Sequence, residues 1–119
     1  MGQSSSREIL KLKAIGLAEL SAETNHEWGD WNPINEFVIL NPKLARIIVT
    51  GSDDFFFEIF KSKLVETSQE NVVMAMEFDA YDAVGDKCNL ELVKYDNGHS
   101  HLYLNYAAYR WVFDLRQID

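Results

Sequence analysis

Along the last third of the chain, apolar and polar residues alternate with a period of two. Val72, Met74, Met76, Phe78 and Ala80 share one parity, and Val73, Ala75, Glu77, Asp79 and Tyr81 the other, the pattern of a strand with one buried face. Cys88, Leu90 and Leu92 repeat the rhythm, and Asp96-Asn97-Gly98 then signals a turn. Register selects the turn. A two-residue Asn-Gly loop sets Leu92 opposite Tyr103 and mixes the faces, whereas a three-residue loop with Gly98 left-handed sets Leu92 opposite Leu102, Leu90 opposite Leu104 and Cys88 opposite Tyr106. The longer loop is expected, because a slip of one residue turns a whole apolar row outward. Beyond Tyr106 the apolar parity changes from even to odd, at Tyr109, Trp111, Phe113 and Leu115, which places a β-bulge or strand break at Ala107-Ala108.

Earlier in the chain the spacing reads as helical. Ser5 and Glu8 form a capping-box pattern, and Ile9, Leu12, Ile15, Gly16 and Leu20 follow at roughly helical intervals, so a helix is expected over residues 6–22. Two features oppose it: Leu10 to Ala14 also alternates as a strand would, and the basic residues come early and Glu19 late, against the helix dipole. A second helix is expected over residues 53–66, from Ser52 as N-cap, Asp53 and Asp54 in the first turn, Lys61 and Lys63 in the last, and Phe56, Ile59, Phe60 and Leu64 at i, i+3, i+4 and i+8. Between them lies a loop from Thr24 to Asn35, then two short strands, Phe37 to Leu40 and Arg46 to Thr50, around Asn41-Pro42 as a hairpin. The sum is a single α+β domain over residues 1–119, with residues 1–5 flexible: two helices packed on one face of an antiparallel, largely meandering β-sheet.

The chain has 119 residues, 47% of them hydrophobic, enough for one core. Its formal net charge of -8 opposes sequence-independent binding to nucleic acid or an anionic membrane and favours a basic protein partner. A lone cysteine, Cys88, cannot form an internal disulfide, and no signal segment or long apolar run is present, so a cytoplasmic location is expected. Gly2 and Ser6, with Arg7 beside them, fit the minimal N-myristoylation pattern, but one acyl chain without a basic cluster anchors only marginally.

Charge is segregated along the chain. No Lys or Arg occurs between Lys13 and Lys43 or between Lys63 and Lys87, and those two gaps hold eleven of the nineteen acids. Glu77, Asp79 and Tyr81 share the outward face of their strand, and the expected register adds Glu91 and Tyr103. Acids that steer a basic partner, with tyrosines that anchor it, make a protein-binding face; the alternative is a solvated face that serves solubility. Glu23, Glu27, Trp28, Asp30 and Trp31 join this candidate surface from the loop, unless the two tryptophans fold back as a lid over the core.

Candidate chemistry is sparse. His99 and His101 project to one side of a strand, but two ligands do not make a metal site, and no metal or other cofactor is expected. Cys88 sits in an apolar row and reads as a buried, inert thiol. Phosphate-binding loops, zinc-binding motifs and nucleophile elbows are absent from the sequence, so no catalytic residue is nominated and the chain is not expected to be an enzyme. The function expected is a small acidic inhibitor, of the immunity-protein or phage-inhibitor type, that blocks a basic, nucleic-acid-handling protein such as a nuclease toxin. The alternative is a small-molecule-binding or enzymatic domain with a pocket beside the C-terminal aromatic strand, Tyr109, Trp111 and Phe113.

Overall fold

The computed structural model describes residues 9–51 and 54–118. Eight antiparallel strands follow one another around a closed barrel: β1 (Leu10–Leu20), β2 (Asn32–Asn41), β3 (Arg46–Thr50), β4 (Phe55–Val65), β5 (Val72–Tyr81), β6 (Lys87–Tyr95), β7 (His99–Asn105) and β8 (Arg110–Gln117). Each strand pairs with its sequence neighbours, and β8 returns to β1, from Leu12 opposite Gln117 to Leu20 opposite Arg110. Closure gives every strand a partner on both sides, which is how an all-antiparallel chain limits the exposure of unpaired backbone groups. Among the described residues the only helical element is the 3-10 turn Ala22–Thr24.

The expected α+β fold is therefore corrected to an all-β barrel, and both expected helices are strands. Each carries a bulge, between Ala14 and Gly16 in β1 and between Ile59 and Lys61 in β4. A bulge adds one residue to a rhythm of two, so inward positions jump from Ala14 to Leu17 and from Ile59 to Ser62, a step of three that imitates a helix. The aromatic run Phe55-Phe56-Phe57 and the β-branched Ile59 suit a pleated strand. The cap residues Ser5, Glu8, Ser52 and Asp53, the Gly2 pattern and the expected flexible segment 1–5 lie outside the described residues.

The later meander is as the alternation predicts. Leu92 pairs with Leu102 and Leu90 with Leu104, and Gly98 (φ 87°) takes the left-handed position of the three-residue loop. The two early strands form the expected hairpin, Phe37 opposite Thr50 through Asn41 opposite Arg46. The parity change after Tyr106 marks a chain reversal: Tyr106 N donates to Tyr109 O across Ala107-Ala108, and Leu102 faces Phe113 across the β7–β8 ladder.

Inside the barrel, Ile47, Val49, Phe57, Leu90, Leu102, Leu104, Phe113 and Leu115 are fully buried and form the core. The turns β2–β3, β4–β5 and β6–β7 define one end, called lower below, and the other four connections define the upper end.

Candidate functional site

Two regions stand out: a polar and aromatic outer face, and a cavity at the lower end. The outer face is built on cross-strand register. Glu77 lies opposite Glu91, Asp79 opposite Asn89, Tyr81 opposite Lys87, and Glu91 opposite Tyr103, so the nominated strand residues do share one outward surface. A hydrogen-bonded row runs across it. Asn89 Nδ2 donates to Asp79 Oδ1 at 3.2 Å, Asn105 Nδ2 donates to Asn89 and to Glu91 Oε1 at 3.0 and 2.9 Å, and Arg110 Nε donates to Asn105 Oδ1 at 2.6 Å.

The β1–β2 loop folds onto the end of this row. Ser21 caps the 3-10 turn by accepting from Glu23 N and donates to Glu19 Oε2, and Asn25 and His26 (both φ 57°) reverse the chain. Gly29 N then donates to Glu19 O at 2.9 Å, and Leu20 forms a bridge with Trp28. Trp28 comes within 5.9 Å of Tyr103, ring centre to ring centre, and the Arg110 guanidinium stands over both, 5.3 and 5.4 Å away. Trp31 lies 5.5 Å from the His101 ring. The tryptophans thus form a lid, but over the outside of the barrel, where Gly16, Ala18 and Val112 are buried beneath them, and not over its core. Burial there pushes the Tyr103 hydroxyl up, with Tyr95 adding to the effect.

Four nominated residues lie away from the hydrogen-bonded row. Tyr81 turns to Phe60, 4.8 Å between ring centres, and Glu23, Glu27 and Asp30 are exposed on the loop. The negative charge of the face is interleaved with positive: Lys61 stands opposite Asp79, Lys63 opposite Glu77, and Arg110 reaches within 3.9 Å of Glu91. His99 and His101 share the outer face, and both approach Asp114 Oδ1, at 2.8 and 3.6 Å. Burial lowers the His101 pKa, partly offset by Asp114. Cys88 is buried inside, which raises its pKa, while a hydrogen bond with Tyr106 acts the other way. The Tyr106 hydroxyl donates to Asp82 Oδ2 at 3.0 Å.

A recess of about 230 Å³ lies beside Tyr109 and Trp111 at the upper end, where a pocket was expected, lined also by Phe55, Tyr106 and Val84 and open to solvent. A larger cavity, about 610 Å³, opens at the lower end, lined chiefly by Leu10, Leu40, Ile59, Met74, Met76 and Leu92, with Ser62 and Asn41 as its polar groups. It exists because β3 is short: the β3–β4 ladder ends at Arg46 opposite Glu58, and the rest of β4 runs on, paired only with β5. Sequence reading passed over these residues as ordinary core. The signal present was a pair of methionines, Met74 and Met76, in one inward row, since thioethers adapt to irregular or variable contents.

Comparison with protein-family models, with curated proteins and with solved structures finds no match to this chain. No helix among the described residues is long and apolar enough to cross a membrane.

Proposed function

We propose that the barrel holds a small apolar ligand in its lower cavity. Closed eight-stranded barrels are either filled by their own side chains or wide enough for one small ligand. The single observation that carries the choice is the cavity of about 610 Å³ with its apolar lining, within the roughly 300–1,000 Å³ usual for small-molecule sites. The lone, buried Cys88 makes the cytoplasm the compartment this reading assumes. Titration with the neutral fluorophore N-phenyl-1-naphthylamine tests it. Saturable enhancement, lost when Met74→Trp fills the cavity, is the expected result; a linear response without saturation ends the reading.

The outer face supports a second reading, the block of a basic nucleic-acid-handling protein, because Asp79, Glu91, Tyr103 and Trp28 lie on one surface. The lysines opposite Asp79 and Glu77 and the arginine beside Glu91 dilute its charge, which puts the cavity first. Joint charge reversal at Glu77, Asp79 and Glu91 abolishes capture of a basic nuclease under this reading, and unchanged capture rejects it.

A further inference from the structure

Interior rows of the barrel are apolar almost throughout, and the β6 row is Cys88, Leu90, Leu92 and then Lys94. Parity places Lys94 on the inward side at the lower rim. Its cross-strand partners agree: Met74 on β5, which lines the cavity, and Ser100 on β7, which is itself buried. A lysine at that position lays its methylene stem along apolar neighbours and holds its ammonium at the water boundary. Lys94 forms no ion pair among the described residues, nor does any other lysine there.

Positive charge is concentrated at the same end. Lys61 and Lys63 flank the cavity-lining Ser62, Lys43 follows the cavity-lining Pro42, and Lys11 follows Leu10. Toward the upper end, among the described residues, the only Lys and Arg are Lys87 and Arg110. Of the acids toward that end, Glu66, Glu70 and Asp96 sit on the turns beyond the strands, and Glu77 and Asp79 stand opposite Lys63 and Lys61 on the outer face. Ile9 and Leu64, 59% and 69% exposed, extend the apolar lining out to the mouth.

An apolar chamber with an unpaired ammonium at its rim is complementary to an amphipathic anion. We propose that the ligand is a free, elongated apolar acid, its tail in the cavity and its carboxylate at Lys94. This rests on the cavity reading above and deepens it. The carboxylate-ammonium contact adds affinity, and the Lys94 ammonium disfavours cationic heads at the same rim.

Three probes with one tail and three heads separate the outcomes: dodecanoate, dodecanol and dodecyltrimethylammonium, each as monomer, displacing N-phenyl-1-naphthylamine. Dodecanoate is expected to bind about tenfold tighter than dodecanol, the equivalent of one charge-assisted contact at a wet rim. Lys94→Met, which keeps the stem, is expected to erase that preference while leaving dodecanol affinity within about twofold, and Lys87→Met at the opposite end is expected to leave it intact. Equal binding of acid and alcohol, tighter binding of the ammonium, or a preference that survives Lys94→Met overturns the proposal while the cavity reading stands. Binding of the fluorophore with displacement by none of the three also overturns it. No saturable binding of the fluorophore removes both. Retention on phosphatidylglycerol vesicles without any response to monomeric dodecanoate overturns it in favour of a lipid surface.

Discussion

Trp31 lies against Gly16: a β-carbon built on that glycine would stand 3.3 Å from the indole Cε3. Gly16 follows the β1 bulge and faces outward, opposite Asp114, so the absence of a side chain there is what lets the β1–β2 loop lie flat on the barrel. Gly16→Val is expected to destabilise the fold by about 1–3 kcal/mol, through overpacking and a displaced loop. Chemical denaturation together with a red-shifted native tryptophan emission checks this; an unchanged spectrum and midpoint would contradict it.

Arg110 joins that loop to β7 by standing over Trp28 and Tyr103 while donating to Asn105. A double-mutant cycle with Trp28→Ala and Arg110→Ala is expected to return a coupling of about 0.5–1 kcal/mol, the range of a partly exposed cation-π contact. A coupling indistinguishable from zero would mean that the stack contributes nothing in solution.

His101 is packed by Trp31, Tyr95 and Tyr103, with Asp114 and His99 as its charged or titratable neighbours. Burial holds its pKa below 6.5, so the unfolded chain takes up a proton that the folded one resists. Its contribution to stability is therefore complete above about pH 6.5 and is lost as pH falls toward the lowered folded value. The melting temperature is expected to drop as pH falls below 6.5, and more shallowly in His101→Gln. Equal slopes for the two proteins would assign the drop to other groups.

Cys88 lies in the inward row of β6, and burial raises its pKa, so thiolate is scarce in the native state. Its reaction with Ellman's reagent at pH 8 is expected to be at least about a hundredfold slower in the native protein than in guanidinium, because it requires opening of the barrel. Comparable rates would place the thiol at the surface.

What the sequence made legible was local. The alternation of β5 and β6, the Gly98 loop and the pairing of Leu92 with Leu102 could be read because each needs only the parity of a few neighbours. The strands β1 and β4 were hidden because a single extra residue, at Ala14–Gly16 and Ile59–Lys61, broke their rhythm into steps of three. At Ala107-Ala108 the parity change fits a bulge and a two-residue hairpin equally, because both shift the count by one, and the chain makes the hairpin. The outer face followed once register was right, which is why Glu77, Asp79, Glu91 and Tyr103 lie together. Trp28 joins them through backbone bonds between Gly29 and Glu19 that no periodicity encodes. The cavity was invisible for another reason: it depends on β3 starting only at Arg46, opposite Glu58, while β4 continues to Val65, a mismatch between two strands and a property of neither.

The seam between β1 and β8 joins residues about 90 to 105 positions apart, from Leu20 with Arg110 to Leu12 with Gln117. Until Arg110–Gln117 has been synthesised, a growing chain holds seven strands with β1 and β7 as bare margins, each able to recruit a stranger. Completion of the barrel waits on Arg110–Gln117, and the interval before that strand emerges is when the earlier strands are most exposed to self-association.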